Sequence, residues 1–152
     1  MPAEKLKTLL DNRDIPYVTI VHSPAYTAQE VAAFSHVPGR EFAKTVIVKL
    51  DGQMAMVVSP ATRQVNFDSL KSATGASTAE LCTENEFKDK FPGCELGAMP
   101  PFGNLYGMPV YVTKPLTDDE QISFNGGSHT ELIKLSYRDW ESLVHPTVVD
   151  VV

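Results

Sequence analysis

The chain has few cysteines, scattered histidines and no metal-binding motif. Its two cysteines, Cys82 and Cys94, are too few for a disulfide scaffold, and their spacing matches no common metal site. The four histidines, one of which is His36, never recur at a ligand spacing such as i and i+4. We therefore expect neither a disulfide framework nor a structural or catalytic metal.

Long apolar runs are also absent. No stretch approaches the roughly 20 apolar residues of a membrane helix, and the first residues lack the apolar region of a secretory signal. We expect a cytoplasmic protein without a membrane partner. With 152 residues, of which 43% are hydrophobic and 21% charged, the chain has the length and composition of one folded domain over residues 1–152.

Positive charge is in deficit, because 13 basic residues face 19 acidic ones and the formal net charge is −6. Proteins that hold nucleic acid by general attraction carry the opposite balance, since their affinity comes from neutralised phosphates. We expect no DNA partner. An RNA partner would have to contact a few basic side chains, and by chain position these are Arg40, Lys44, Arg63 and Lys71.

Helices are predicted by periodicity and capping residues. Leu6, Leu9 and Leu10 form an i, i+3, i+4 stripe, which predicts a short amphipathic helix over residues 3–12. Four more follow capping residues: a helix from Thr27 to about Phe34, one from Asn66 to about Ala73, one after Thr83 that ends before Pro92, and one over Tyr137–Val144 behind Ser136.

The clearest local signal is a hairpin. Two β-branched apolar runs, 45–50 and 53–59, flank Asp51-Gly52, a pair that favours a two-residue turn. This turn sets the register, so Lys44 should face Ser59 on the core-facing side of the hairpin. Further strands are predicted over residues 17–21, 79–81, 110–113, 122–124 and 131–135, the last two joined by a turn at residues 125–127.

Strands and helices alternate without the regular spacing of βαβ units, and two strand pairs are hairpins. We therefore predict a single α+β domain with a mixed, largely antiparallel sheet flanked by short helices. The Gly- and Pro-rich stretch over residues 97–107 is too irregular for a helix or a central strand.

Standard catalytic signatures are missing. The sequence contains no Walker loop, no dinucleotide fingerprint, no Gly-x-Ser-x-Gly elbow and no His-Glu-x-x-His helix. Ser128 and His129 are adjacent, but neighbours on a strand point to opposite faces, so we do not expect a nucleophile–base pair.

Three other features could carry chemistry, and each also has an ordinary structural explanation. Lys44 is either a strand-end lysine with its ammonium in water or a point charge for phosphate in a pocket mouth. The loop over residues 97–103 is either a proline-stiffened surface loop or backbone that approaches a ligand. Residues 124–129 are either a Gly-Gly turn or a pocket rim with Ser128 and His129 as donors.

Together these segments resemble the YbaK-type family of aminoacyl-tRNA deacylases, which includes the editing insertion of bacterial prolyl-tRNA synthetases. The landmarks follow the family's order over nearly the whole chain: His22-Ser-Pro-Ala25, the helix after Thr27, Ala43-Lys-Thr-Val-Ile-Val48, Gly97-Ala-Met-Pro-Pro101 with Phe102-Gly103, and Asn125-Gly-Gly-Ser-His129. Each landmark is loose alone, but a lysine before a β-run followed by the Gly-x-x-x-Pro loop is fairly specific.

The resemblance implies a pocket for the terminal adenosine and attached amino acid of a mischarged tRNA. The matching lysine anchors phosphate and ribose, the matching loop backbone positions the aminoacyl carbonyl, and no side-chain nucleophile, metal or cofactor takes part. It therefore implies the catalytic residues Lys44, Gly97 and Pro101. It also implies the substrate-binding residues His22, Thr45, Ser59, Ala98, Met99, Pro100, Phe102, Gly127, Ser128 and His129.

The predicted activity is hydrolysis in trans of the ester of a mischarged tRNA. The expected substrate is proline tRNA carrying a small wrong amino acid such as alanine or cysteine, and prolyl-tRNA synthetase is a further partner. Two alternatives stay open: a non-catalytic module that binds a tRNA acceptor end or a synthetase, and a hydrolase of another small aminoacyl or nucleotide compound. Thr45 and the Ser128-His129 pair depart from the family's pattern, and neither difference identifies the substrate.

Overall fold

A five-stranded sheet is built on the predicted hairpin. The computed structural model describes residues 4–25, 30 and 37–151. The strands of this sheet are β2 (Ala43–Leu50), β3 (Gln53–Pro60), β4 (Ala79–Leu81), β5 (Val110–Thr113) and β8 (Thr147–Val149), in the order β4-β2-β3-β5-β8. The chain turns at Asp51-Gly52, and Lys44 pairs with Ser59 as predicted. β5 runs parallel to both β3 and β8, so the sheet is mixed.

A smaller antiparallel sheet contains β1 (Val18–Val21), β6 (Gln121–Ser128) and β7 (Glu131–Ser136), in the order β1-β7-β6. The turn predicted at residues 125–127 is wrong, because these residues belong to β6. Asn125 pairs with Leu132 and Ser128 pairs with Glu131, so the register shifts between them and the chain turns at residues 129–130. Glycine accommodates this bulge, since Gly127 has a φ of 95°.

The described helices are α1 (Glu4–Asn12), α2 (Phe67–Thr74), α3 (Glu84–Phe87) and α4 (Tyr137–Val144). Their predicted caps form: Asn66 accepts from Ser69 N–H at 3.0 Å, and Ser136 accepts from Asp139 N–H at 3.1 Å. α3 is shorter than predicted. The helix predicted after Thr27, and His36, lie outside the described residues except for Glu30. No described helix is long and apolar enough to cross a membrane.

Three short 3₁₀ helices were not predicted: Gly39–Glu41, Gly103–Tyr106 and Lys114–Asp118. The second lies within residues 97–107 and corrects the expectation of an irregular loop throughout. The predicted α+β fold with mixed, largely antiparallel pairing is confirmed, but the strands are divided between two sheets, and β8 is an unpredicted member of the larger one.

Both faces of the larger sheet are covered. On one face the main core packs Leu6, Leu10 and Trp140 against Ile47 and Met56. On the other face a smaller core surrounds Leu70 of α2 with Val48 and Val57. Complete burial of each large apolar side chain contributes about 1.5–3 kcal/mol. Because side chains alternate along β2, Lys44 shares the face of the smaller core, whereas Thr45 points towards the main core.

The two sheets meet where Phe42 forms a parallel bridge with Ser123. Phe42 and Leu132 belong to a third cluster of buried residues, and Leu132 is the partner of Asn125 in the β6–β7 pair. Alternation places Lys44 on the face of Phe42, and Asn125 on the face of Leu132. Lys44 and Asn125 therefore lie on the same side of the junction, each two residues beyond the bridge.

Candidate active site

Lys44 is a half-buried cation at the second position of β2. Burial lowers the pKa of its ammonium below the usual value. In the part of the chain that the structure describes, it forms no ion pair with a carboxylate. Partial desolvation of an uncompensated charge costs free energy, and an anionic ligand would offset that cost.

Several buried polar atoms near this junction have no hydrogen-bond partner among the described residues. Ser59 Oγ lies opposite Lys44, and Ser123 Oγ and Asn125 Oδ1 lie on the facing side of β6. Leaving such an atom unpaired costs about 1–3 kcal/mol, and an unpaired group in a native protein needs an explanation such as a ligand or ordered water. These three residues and Lys44 define a polar face at the junction of the sheets. His22 Nε2, which also lacks a described partner, lies just beyond β1.

The loop from Gly97 to Phe102 is tied to the bulge of β6. Glu95 N–H donates to Gly127 O at 2.7 Å, and Gly127 N–H donates to Ala98 O at 3.0 Å. At the neighbouring turn, His129 Nε2 lies 2.8 Å from Leu96 O, so the ring nitrogen must carry the proton that the carbonyl accepts. Gly97, Ala98, Gly127 and His129, predicted to share a site, are thus brought together.

Core contacts anchor the other end of this loop. Phe102 is fully buried with its ring 5.6 Å from that of Phe124, and Met99 also lies in the main core. Pro101 O accepts from Trp140 Nε1 at 3.0 Å, while Pro100 O accepts from Phe102 N–H at 2.8 Å. The side chains of Met99 and Phe102 therefore pack in the interior, and contact with a substrate would have to come from the loop backbone.

Lys44 and the loop border the same edge of β6. One edge of β6 is paired with β7, and on the other edge Phe42 bridges Ser123 while Ala98 bonds Gly127. Ser123 and Gly127 are four residues apart, which corresponds to about 13 Å of extended strand. Asn125 lies midway between these two contacts.

The remaining predicted residues differ in position. Thr45 points away from Lys44, and its buried Oγ1 has no hydrogen-bond partner within the described ranges. Ser128 Oγ lies 3.2 Å from Thr130 Oγ1, and His129 contacts Leu96 O, so Ser128 and His129 do not form a nucleophile–base pair. His22 N–H donates to Thr130 O at 2.9 Å, which places His22 beside this turn.

Ser123 and Asn125 were missed by the sequence analysis. They alternate with Ile122 and Phe124, which are fully buried in the main core. This period-2 pattern is typical of a strand with one apolar face and one polar face. It could have identified both residues if the glycines after them had not been interpreted as a turn.

No cluster of three or more histidine, cysteine or acidic side chains suitable for a metal occurs among residues 4–25, 30 and 37–151. Cys82 is buried, and burial raises the pKa of its thiol, which disfavours the reactive thiolate. Cys94 Sγ lies 3.7 Å from Tyr106 Oη, outside the polar face.

We expect Cys82→Ser and Cys94→Ser to retain turnover close to that of the unmodified protein, because neither thiol is placed to attack a substrate. Ester hydrolysis is measured for each variant with circular dichroism as a folding control, and again after treatment with a chelator. If either folded variant loses all activity, a cysteine nucleophile must replace the nucleophile-free mechanism.

The sequence and the fold agree with a family of editing domains. Residues 22–143 match the family described as the aminoacyl-tRNA editing domain, and the chain belongs to this family. It is 24% identical over 153 residues to the multifunctional Ser/Thr-tRNA deacylase ProXp-y of Escherichia coli K12, a match that covers 97% of this chain and 90% of that protein.

A proline–tRNA ligase of Bacillus mycoides strain KBAB4 is 31% identical over 75 residues, which is 49% of this chain but only 13% of the ligase. Among solved structures, the hypothetical protein APE2540 has a TM-score of 0.86 and 27% identity, covering 97% of this chain and 99% of that one. A structure described as a candidate trans-editing enzyme for prolyl-tRNA synthetase has a TM-score of 0.83, 17% identity and coverages of 98% and 95%, and shows the shared fold.

Proposed function

We propose that this protein hydrolyses the ester of a mischarged tRNA, acting in trans in the cytoplasm. The proposed substrate is proline tRNA that carries a small wrong amino acid such as alanine or cysteine. The observation that carries the proposal is the position of Lys44 on the polar face beside the Gly97–Phe102 loop. Lys44 is a half-buried cation with no counter-ion among the residues that the structure describes.

In this proposal the Lys44 ammonium binds the phosphate and ribose of the terminal nucleotide. A cation at a partly desolvated site attracts a phosphate more strongly than the same cation in water, because the local dielectric is lower. We propose that the polar atoms of Ser59, Asn125 and His22, which have no hydrogen-bond partner among the described residues, bond ribose and amino-acid groups. These contacts would hold the ester beside the edge of β6.

The loop offers two backbone amides for the aminoacyl carbonyl. Ala98 N–H already donates to Glu95 O, and the two prolines have no N–H. Gly97 N–H points to the thioether of Met99 at 3.2 Å, which is a weak acceptor, and Met99 N–H donates to no described residue. We propose that the N–H groups of Gly97 and Met99 donate to the carbonyl oxygen of the ester. Backbone donors held in place before the reaction stabilise the negative charge that develops on this oxygen.

The reaction needs no side-chain nucleophile. Water adds to the ester carbonyl, the tetrahedral intermediate collapses, and the ribose oxygen leaves with the proton. A neighbouring ribose hydroxyl, or the thiol of a cysteine substrate, helps from the substrate itself. Positioning of an already activated ester supplies much of the acceleration. Selectivity comes from the size of the amino-acid pocket, where one methylene is worth about 1–3 kcal/mol.

The test is a panel of proline tRNA charged separately with alanine, cysteine, serine or proline, with spontaneous hydrolysis as the baseline. We expect rapid loss of ester from one mischarged species, with prolyl-tRNA spared. Adding prolyl-tRNA synthetase should raise the rate, because a partner that holds the tRNA increases its effective concentration around an acidic protein. If no species is hydrolysed even with the synthetase, the protein is a binding module or acts on another compound.

A further inference from the structure

Basic residues lie in both chain segments at the open end of the β2–β3 hairpin. Ala43 pairs with Pro60, and Ala61 N–H donates to Phe42 O at 2.8 Å. The segment that enters β2 therefore runs beside the segment that leaves β3. Arg40 lies three residues before Ala43 and Arg63 three residues after Pro60, so both extend from the end of the hairpin that carries Lys44.

The segment with Arg63 is held in place by two contacts. Arg63 N–H donates to Pro60 O at 3.0 Å, which closes a turn immediately after β3. Thr62, within that turn, packs so closely against Gly39 that a Cβ added to Gly39 would lie 2.8 Å from Thr62 Cγ2. The backbone of Arg63 is thereby fixed beside the strand pair that contains Lys44 and Ser59.

The charge of Arg40 is compensated by carboxylates. Its Nη2 lies 3.9 Å from Glu41 Oε2, and it lines a cavity of about 350 Å³ together with Glu41, Asp118, Asp119, Glu120 and Gln121. Burial, and then the charge of Glu41, raise the pKa of the Asp119 carboxyl, whereas the charge of Arg40 lowers it. A polyanion approaching Arg40 would meet four acidic groups around one guanidinium, which disfavours binding there.

Arg63 has no such compensation. It is exposed and forms no ion pair with any of the residues that the structure describes. Lys71, which follows Arg63 in the chain, lies on α2, where its Nζ is 3.4 Å from Asp68 Oδ1. Of the four basic residues considered for RNA contact, only Lys44 and Arg63 lack a carboxylate partner in the described structure.

We propose that Arg63 binds a backbone phosphate of the single-stranded 3′ end of the RNA substrate, next to the nucleotide held at Lys44. This inference rests on the proposed function for the identity of the RNA. A guanidinium binds phosphate through two parallel hydrogen bonds, and an exposed one can follow a flexible strand. With a net charge of −6, affinity for RNA must come from such a local pair of cations.

The test measures binding of an uncharged, fluorescently labelled RNA hairpin with a single-stranded CCA 3′ end, over a series of salt concentrations. Arg63→Gln should weaken binding by about three- to tenfold and lower the slope of log affinity against log salt by about 0.7–1, the value for one lost phosphate contact. Arg63→Lys should restore most of the slope, because the charge is kept.

Arg40→Gln and Arg138→Gln are matched controls, since each removes one exposed positive charge. Arg40 lies among carboxylates, and Arg138 lies on α4 rather than at the end of the hairpin. Both should bind the RNA as the unmodified protein does. In the deacylation assay Arg63→Gln should raise KM and leave kcat unchanged. Equal effects of Arg63→Gln and Arg40→Gln, or an unchanged salt slope in Arg63→Gln, would overturn the assignment.

The two proposals fail in different ways. RNA binding that depends on Arg63, without hydrolysis of any charged tRNA, would remove the proposed enzyme function and keep the phosphate site. Normal hydrolysis with an Arg63→Gln variant that binds RNA like the unmodified protein would remove the phosphate site and keep the enzyme. If the folded protein neither binds the RNA nor hydrolyses a charged tRNA, both are wrong.

Discussion

Replacing Lys44 with alanine is expected to reduce deacylation by at least about 100-fold, the loss typical of removing one charge-stabilising donor from an active site. The ammonium is half-buried, and no described carboxylate compensates its charge. In the proposed mechanism its partner is the substrate phosphate, so the substitution removes a contact with the substrate. The fold should be retained, because Lys44 forms no ion pair with any described residue. Turnover and the melting temperature are measured on the same preparation.

Two further variants separate charge from packing. Lys44→Met keeps the length of the stem without the charge, and it should be as inactive as Lys44→Ala. Lys49→Ala removes a lysine of the same strand that is paired with Glu80 and Glu86, and it should keep full activity with a small loss of stability. Near-normal turnover in folded Lys44→Ala would mean that Lys44 is an ordinary strand-end lysine.

Gly97→Val is expected to abolish most of the activity at a moderate cost in stability. Gly97 has a φ of 84°, a conformation that costs other residues about 1–2 kcal/mol and a β-branched residue more. A Cβ at this position would lie 3.4 Å from His129 Cε1, in van der Waals contact, and the two methyl groups of valine would crowd the ring further. We expect the backbone strain and this crowding to displace the Gly97 and Met99 amides that we assign to the carbonyl oxygen.

Gly75→Val is the matched control for this strain. Gly75 ends α2 with a φ of 76°, and a Cβ there would meet nothing within 4 Å. Both variants should lose similar stability in chemical denaturation, whereas only Gly97→Val should lose activity under conditions in which both are folded. If the activity lost by Gly97→Val matches its unfolded fraction, or if Gly75→Val loses as much, the loop has only a structural role.

Local signals were sufficient for much of the fold. Asp51-Gly52 specifies a two-residue turn, and a two-residue turn leaves one register for the strands on either side, so the pairing of Lys44 with Ser59 was predictable. The caps at Asn66 and Ser136 were predictable because their side chains bond amides three residues away. The landmarks from His22 to His129 likewise indicated the family that the match over residues 22–143 shows.

The errors came from features that depend on distant partners. Residues 125–127 can turn a chain or bulge within a strand, and the outcome depends on the pairing of Ser128 with Glu131 in β7. β8 is three residues long and exists because it pairs with β5, which its own sequence does not encode. The division of the strands into two sheets could likewise not be predicted, because the alternation of side chains along a strand does not indicate which strands pair with one another.

By itself, the sequence determined most of the helices and strands and the register of the hairpin, and it identified Lys44 and the Gly97–Phe102 loop as candidate site segments. Only the tertiary structure decided that these two segments border one edge of β6, and that Ser123 and Asn125 face the same side as Lys44. It also distinguished the electrostatic surroundings of Arg63 from those of Arg40, which the sequence alone does not. Carboxylates that are far away in the chain, such as Asp119, surround Arg40 in the folded protein. Periodicity and turns act over a few residues, whereas burial and electrostatics act through space.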